Sequence, residues 1–262
     1  MTDAGSPEAG APFAGRYRTL TPWSPLGALA ATGLIIVSAF ALARLLVLGT
    51  GLIGLEHLES AGADGTGTLG KMVGPLLIWM VTSQVLMIAF TLAAARWFGG
   101  RPVDVLALRP PQAGVSAYVS AFLLVVLVLG VYNTAVYALF RESMLGDLKP
   151  FMEMMQSPYW WLAALVIVVG APLSEELLFR GFLFPALVKS RLGFSGATVV
   201  TTTPWTLLHL GYSLAGLFEV FLVGLVLTGL LWRSGSLRVP ILCHGLYNGI
   251  VLLLIVWLRL GG

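Results

Sequence analysis

Two carboxylates and a guanidinium lie close together in an otherwise apolar stretch of the chain, SEELLFR at 174–180. Glu176 and Arg180 are four residues apart, so on a helix they share one face and can form an ion pair. The neighbouring Glu175 points about 100° away from that face, which leaves it without a partner on its own helix. Either all three charges form one buried ion-pair network, or Glu175 is a carboxylate available for proton transfer.

Two of the three histidines also lie in apolar runs, and each has a neighbour at helical spacing. Trp205 precedes His209 by four residues and His244 precedes Asn248 by four, so each pair shares a helix face. Taken one at a time, each histidine can be explained as a hydrogen-bonded packing residue. His244 and Asn248 can likewise be explained as a pair that hydrogen-bonds two helices together. Read together with Glu175, they form one site. A carboxylate and a neutral imidazole hold a water and remove its proton, while a second imidazole and an amide donate hydrogen bonds to an oxyanion.

The composition is that of an integral membrane protein. Of 262 residues, 58% are hydrophobic and 10% are charged, and the mean hydropathy is +0.91, whereas a soluble domain has about a quarter of its residues charged. The net charge of +3 and the lack of a dense basic stripe with interleaved aromatic residues give no signal of nucleic-acid binding, and no nucleic-acid partner is expected. The single Cys243 excludes an intrachain disulfide and a cysteine-based metal cluster.

Continuous apolar runs of about 20 residues predict transmembrane helices rather than strands. The expected fold is all-α, a polytopic transmembrane helix bundle of about seven spans, or eight if a further segment crosses. The predicted spans are 27–49, 72–97, 115–140, 159–188, 194–212, 214–232 and 239–260.

The loops between these spans predict the topology. Residues 1–24 are rich in Gly, Pro, Ala and Ser and are expected to form a disordered cytoplasmic tail. No cleavable signal peptide is expected in this tail. Residues 25–262 are expected to form a single transmembrane domain. Loops that contain Arg and Lys alternate with neutral or acidic loops such as 50–71, in which His57 is expected to be solvated. The positive-inside rule therefore places the N-terminus in the cytoplasm. Seven spans place the C-terminus outside, whereas an eighth span or one re-entrant segment would reverse that end.

The depth of the candidate residues can be estimated from helix geometry. Glu175 and His209 are each 17 residues from the turn at Leu192, which places both at ~25 Å of depth. His244 lies nine residues after the next turn on that side, which gives only ~13 Å. A protruding helix end, or a kink at Pro172, would be needed to bring the three residues level.

The motifs resemble those of the CPBP family, which contains CAAX-processing proteases and bacteriocin-processing or immunity proteins and is also called the ABI family. EELLFR at 175–180 resembles the family's EExxxR motif, WTLLH at 205–209 its aromatic-and-histidine motif, and HGLYN at 244–248 its HxxxN motif. All three occur in the family's order, on the fourth, fifth and seventh predicted spans, and the resemblance covers about 158–258. Trp205 stands where the family usually has Phe, which implies only a different cavity wall.

The resemblance implies a helical intramembrane endopeptidase. By motif position, Glu175 and His209 would activate the attacking water. His244 and Asn248 would stabilise the tetrahedral oxyanion.

The resemblance gives the remaining motif residues, Glu176, Arg180 and Trp205, a supporting role in the site. No metal or other cofactor is expected, with zinc as the alternative, because two His and one Glu could supply three zinc ligands and water the fourth. The HExxH arrangement is absent, and a glutamate used as a ligand could not also serve as the free base.

The expected partners are the lipid bilayer and a membrane-anchored protein or peptide substrate, in the inner (cytoplasmic) membrane of a bacterium. The alternative is a non-proteolytic membrane immunity or scaffold protein that uses the same site for binding. A third interpretation, a small transporter with a proton relay, is disfavoured because the sequence has no inverted repeat.

Overall fold

The structure is a computed structural model that describes residues 17–49 and 68–260. In this part of the chain we number eight helices, and the described residues contain no strand. The helices are α1 Pro25–Gly49, α2 Thr68–Trp97, α3 Pro102–Val105, α4 Val115–Gln156, α5 Trp160–Val188, α6 Gly193–Leu207, α7 Leu214–Ser234 and α8 Arg238–Leu260. The predicted all-α fold is confirmed.

Six of the described helices are long and apolar enough to cross a bilayer, namely all except α3 and α6. Their bounds agree with the predicted spans to within about one helical turn, apart from the end of α4. This helix continues to Gln156, past a non-helical backbone conformation at Phe140 where the predicted span ends. A polytopic helical membrane protein is therefore confirmed, whereas the exact number of spans stays a prediction.

Helix α6 is shorter than its predicted span at 194–212, which is wrong at its C-terminal end. The helix ends at Leu207, and a turn leads from there to Ser213, the N-cap of α7. Asp147 fixes this turn, because its carboxylate accepts hydrogen bonds from the Ser213 N–H at 2.7 Å and from the Ser213 hydroxyl at 2.6 Å. His209 consequently lies in a turn and not within a helix.

Helix α5 contains two π-helical segments, Val166–Gly170 and Glu176–Leu183. A π-helix hydrogen-bonds from i to i+5 and takes more residues per turn than an α-helix, so the chain covers less depth per residue. Such segments are rare and frequently occur at functional sites. The second segment begins at Glu176, immediately after Glu175.

Helix α8 packs against the first π-helical segment through a glycine. A Cβ atom on Gly245 would lie 2.6 Å from the backbone oxygen of Val168, closer than atoms in a packed interior approach. Only a residue without a side chain therefore allows the backbones of α5 and α8 to come this close. This contact sets the position of His244, the residue before Gly245.

The segment before α1 is packed against the bundle, so the predicted disorder of 1–24 is wrong for residues 17–24; the rest of that tail lies outside the described residues. The Trp23 indole donates to the backbone oxygen of Phe182 at 3.0 Å and stacks on the Phe182 ring. Lys189 donates to the backbone oxygens of Thr21 and Trp23 at 2.5 and 3.1 Å.

The basic loops lie at one end of the bundle, as the topology prediction requires. The start of α1 contacts the end of α2 through Trp23 and Phe98. The turn before α8 contacts the loop after α3, since Ser236 donates to the backbone oxygen of Arg109 at 2.6 Å. Lys189 joins the same end through its bonds to the N-terminal segment. The side of the membrane that this end faces stays a prediction.

Candidate active site

The candidate site forms where α5, α6 and α8 meet, and Trp205 of α6 is its central residue. The Trp205 indole N–H donates to Oε2 of Glu175 at 2.7 Å. Trp205 is only 2% exposed, so this hydrogen bond to a carboxylate is shielded from solvent and is of the stronger, charge-assisted kind. The bond occupies one carboxylate oxygen of Glu175, and the other oxygen has no hydrogen-bond partner among the described residues.

The predicted pair of Glu176 and Arg180 is confirmed. Arg180 Nη1 lies 3.0 Å from Glu176 Oε1, and both side chains have 0% exposure. A buried ion pair of this kind persists only when its geometry compensates the loss of hydration. The pair therefore fixes the side chain of Glu176 within the bundle.

The role expected of Glu176 was support alone, and the structure adds a direct contact with a candidate site residue. His244 Nδ1 lies 3.2 Å from the same Glu176 oxygen that accepts from Arg180. Because a carboxylate oxygen can only accept, Nδ1 carries the proton and Nε2 is directed away from Glu176. The carboxylate thereby fixes the tautomer and the orientation of the His244 ring.

The expectation that Trp205 only changes the cavity wall is wrong. The guanidinium of Arg180 lies over the Trp205 ring at 4.1 Å from its centroid, in the geometry of a cation–π contact. The rings of His209 and His244 approach Trp205 edge-on, at 5.5 and 5.8 Å between centroids. One tryptophan therefore contacts Glu175 and both candidate histidines. Sequence reasoning missed this because it depends on the meeting of three helices.

His209 is held by the main chain of its own turn. Its Nδ1 lies 3.0 Å from the backbone oxygen of Trp205, and a carbonyl oxygen can only accept, so Nδ1–H donates and the neutral ring keeps a free lone pair on Nε2. The ring of Tyr212 lies 5.7 Å away. Burial raises the pKa of Tyr212, and the charge of Glu175 raises it further, which keeps the phenol protonated and places the turn within electrostatic range of Glu175.

Asn248 lies one helical turn after His244 on α8 and is also anchored to α5. Its side-chain amide donates to the backbone oxygen of Ile167 at 2.9 Å. Ile167 belongs to the first π-helical segment. One amide hydrogen is thus used to orient the side chain, and the second hydrogen on Nδ2 stays available for another acceptor.

The predicted mismatch in depth is absent from the structure. His244 contacts Glu176 and Trp205 directly, so the residues from all three helices lie at one level. The estimate placed the turns at Leu192 and Gly235 at the same depth, whereas Leu237, just before α8, packs against Gly181 of α5, 11 residues before Leu192. The end of α5 therefore extends past the start of α8, and this brings Glu176 level with His244.

Sequence reasoning overlooked a carboxylate in the span 214–232. Glu219 of α7 accepts from the Asn133 amide of α4 at 2.8 Å and from the hydroxyl of Tyr247 of α8. A charge inside a membrane helix is costly and usually has a specific role, so Glu219 in an apolar run was itself a usable signal. The cluster joins three helices and fixes α8 next to Asn248.

The zinc alternative lacks a suitable set of ligands in the described part of the chain. No three His, Cys, Asp or Glu side chains there lie close enough together to hold a metal ion. Glu175 and His209 are each held by hydrogen bonds to Trp205, and His244 is held by Glu176. Independence from metal stays a prediction.

The fold and the site define a multi-pass helical membrane protein with a glutamate and two histidines around a buried tryptophan. A family model described as type II CAAX prenyl endopeptidase Rce1-like matches residues 157–250, which contain all of the candidate site residues. The chain is also 32% identical over 171 residues to an "Uncharacterized 24.3 kDa protein" of Escherichia coli, covering 62% of this chain and 73% of that protein. No solved structure matches the chain.

This chain belongs to the Rce1-like family of CAAX proteases. The resemblance carried by the three sequence motifs is thereby confirmed. Family membership supports a CAAX protease-like membrane enzyme.

Proposed function

We propose that this protein is an intramembrane endopeptidase that hydrolyses a peptide bond of a membrane-anchored protein or peptide with a water activated by Glu175. The observation that carries the proposal is the pair of contacts made by two adjacent glutamates: Glu175 with Trp205 at 2.7 Å and Glu176 with His244 at 3.2 Å. The two carboxylates are thus held for different tasks, which a single ion-pair network would not require.

Glu175 acts as the general base in this proposal. Trp205 holds one of its oxygens, so the other oxygen accepts the proton of the attacking water. His209 orients the same water through Nε2, the ring nitrogen that its bond to the main chain leaves free. After attack, Glu175 returns the proton to the leaving amine, as microscopic reversibility requires of a base that becomes an acid.

His244 and Asn248 stabilise the oxyanion of the tetrahedral intermediate. His244 donates from Nε2 when the ring carries both protons, and the carboxylate of Glu176 holds the ring through Nδ1. Asn248 donates the amide hydrogen that Ile167 does not use. Donors that are fixed before the reaction stabilise developing charge most effectively, and removing one typically costs a factor of about 10²–10³ in kcat.

The proposal includes no metal ion, and chelation tests this part of it. Purified active protein treated with a zinc chelator should keep its activity, and elemental analysis should find far less than one zinc per chain. About one zinc per chain, removed by the chelator together with activity that added zinc restores, would contradict the metal-free mechanism.

The substrate is proposed to reach the site from a membrane in which it is anchored. We infer that this is the inner membrane of a bacterium, with the N-terminus of the enzyme in the cytoplasm.

Comparative mapping of protein termini in membranes tests the proposed proteolysis. Cells with native protein should contain a new terminus, absent from cells with Glu175→Gln at equal expression. If no terminus depends on Glu175 although the native protein retains its biological effect, the binding or immunity function replaces proteolysis.

A further inference from the structure

A groove between α1 and α2 lies away from the candidate site. It has a volume of about 520 Å³ and is lined mainly by apolar residues, including Phe40 on α1 and Pro75 and Trp79 on α2. The rings of Phe40 and Trp79 meet at 5.1 Å with an interplanar angle of 60°. Arg44 also lines this groove, and it is the only charged residue among the described residues of the lining.

Arg44 is unusual because it is exposed on a membrane-spanning helix. Its guanidinium has no ion pair or hydrogen bond to any residue of the described ranges 17–49 and 68–260. A charged side chain in a membrane helix normally pairs with another group or extends to the interface. Arg44 therefore requires an anionic partner or a position close to the head groups.

The position of Arg44 along α1 agrees with the second requirement. Arg44 is 19 residues after Pro25, where the helix begins, which corresponds to ~28 Å along the axis. Trp79 is 18 residues before Trp97, where α2 ends at the same end of the bundle, or ~27 Å. Both residues therefore lie near the far edge of a hydrocarbon core of ~30 Å, where indoles of membrane proteins concentrate.

We propose that this groove binds one glycerophospholipid of the bilayer, with its phosphodiester on Arg44 and an acyl chain against Phe40 and Trp79. The guanidinium matches phosphate oxygens because it offers two parallel N–H donors. The remaining lining is apolar and suits a hydrocarbon chain. Phe40 lies one helical turn deeper than Arg44, which is the order of chain and phosphate in a lipid leaflet. The proposal does not depend on the proposed proteolytic function, since no residue is shared with the candidate site.

Lipid titration followed by native mass spectrometry of the full chain in detergent tests the proposal. The probes are dioleoyl phosphatidylglycerol and dioleoylglycerol, which have the same chains but differ in the phosphate. The native protein should bind one phosphatidylglycerol, and Arg44→Gln should weaken this binding about tenfold, the usual scale for a lost hydrogen bond to a charged group. Arg44→Lys should retain part of the affinity, and dioleoylglycerol should bind both proteins equally and weakly.

Arg141→Gln is the matched control, because Arg141 is an exposed arginine outside the groove and should leave binding unchanged. The position is tested by quenching of tryptophan fluorescence with phosphatidylglycerol that has brominated chains. Trp79→Phe should remove part of the quenching in the native background, whereas Trp97→Phe should not. The proposal is overturned if Arg44→Gln binds phosphatidylglycerol as tightly as the native protein, if dioleoylglycerol binds as well as phosphatidylglycerol, or if Trp79→Phe leaves the quenching unchanged.

Discussion

The contact between α5 and α8 can be perturbed by one methyl group at Gly245. In Gly245→Ala the new Cβ would lie 2.6 Å from the Val168 oxygen, whereas ordinary contacts begin at 3.4 Å. The oxygen belongs to helical backbone and cannot rotate away, so the helices must separate locally by roughly 0.8 Å. His244 lies next to Gly245 and moves with it, and its contact of 3.2 Å with Glu176 is lost. Because misplacement by ~1 Å can cost about a hundredfold in rate, we expect kcat to fall by between about tenfold and a hundredfold.

Gly249→Ala is the control for this perturbation. Gly249 lies one turn further along α8, and its Cβ would be 3.8 Å from a Val168 methyl group, so the same added volume fits. The assay compares cleavage rates of the two variants in liposomes, on the substrate found by mapping of termini, together with thermal unfolding in detergent. If Gly245→Ala cleaves as fast as Gly249→Ala and the native protein, the close contact between α5 and α8 does not position the site.

Two further predictions concern Trp205 and Glu176, whose contacts join α5 to the other helices of the site. Trp205→Phe keeps an aromatic ring beside Arg180 but removes the hydrogen-bond donor to Glu175. Because hydrogen bonds to charged groups contribute ~1.5–3 kcal/mol, kcat should fall about tenfold or more with little change in KM. An unchanged kcat would show that this bond does not position the base. Glu176→Gln leaves a buried Arg180 without its counter-charge, which typically costs ~3–5 kcal/mol. Its unfolding temperature should fall clearly below that of Glu142→Gln, an exposed control, and equal temperatures would contradict the importance of the buried pair.

The features that sequence predicted are those set by local spacing and by bulk hydropathy. The helices appear where continuous apolar runs predict them, because a chain in lipid must satisfy its backbone hydrogen bonds internally. Glu176 and Arg180 pair because four residues bring side chains onto one helix face. The placement of the candidate residues on α5, α6 and α8, His209 excepted, follows from the same two rules.

The features that sequence did not predict depend on contacts between elements. The end of α6 at Leu207 depends on Asp147, which is distant in sequence and accepts from Ser213. The level of His244 depends on the packing of Leu237 against Gly181 of α5, two residues that are distant in sequence. The hydrogen bond from Trp205 to Glu175 requires two helices to meet at a particular height. Glu219 differs, since its carboxylate in an apolar span could have been noticed.

The central claim is that Glu175 activates the water that cleaves the substrate. The most direct measurement is the single-turnover cleavage rate of purified native protein and Glu175→Gln in liposomes, with equal folding verified by the unfolding transition. The account predicts a loss of at least about a hundredfold for Glu175→Gln, because a general base contributes ~10²–10⁴ to rate. Cleavage by correctly folded Glu175→Gln at the native rate would contradict the account.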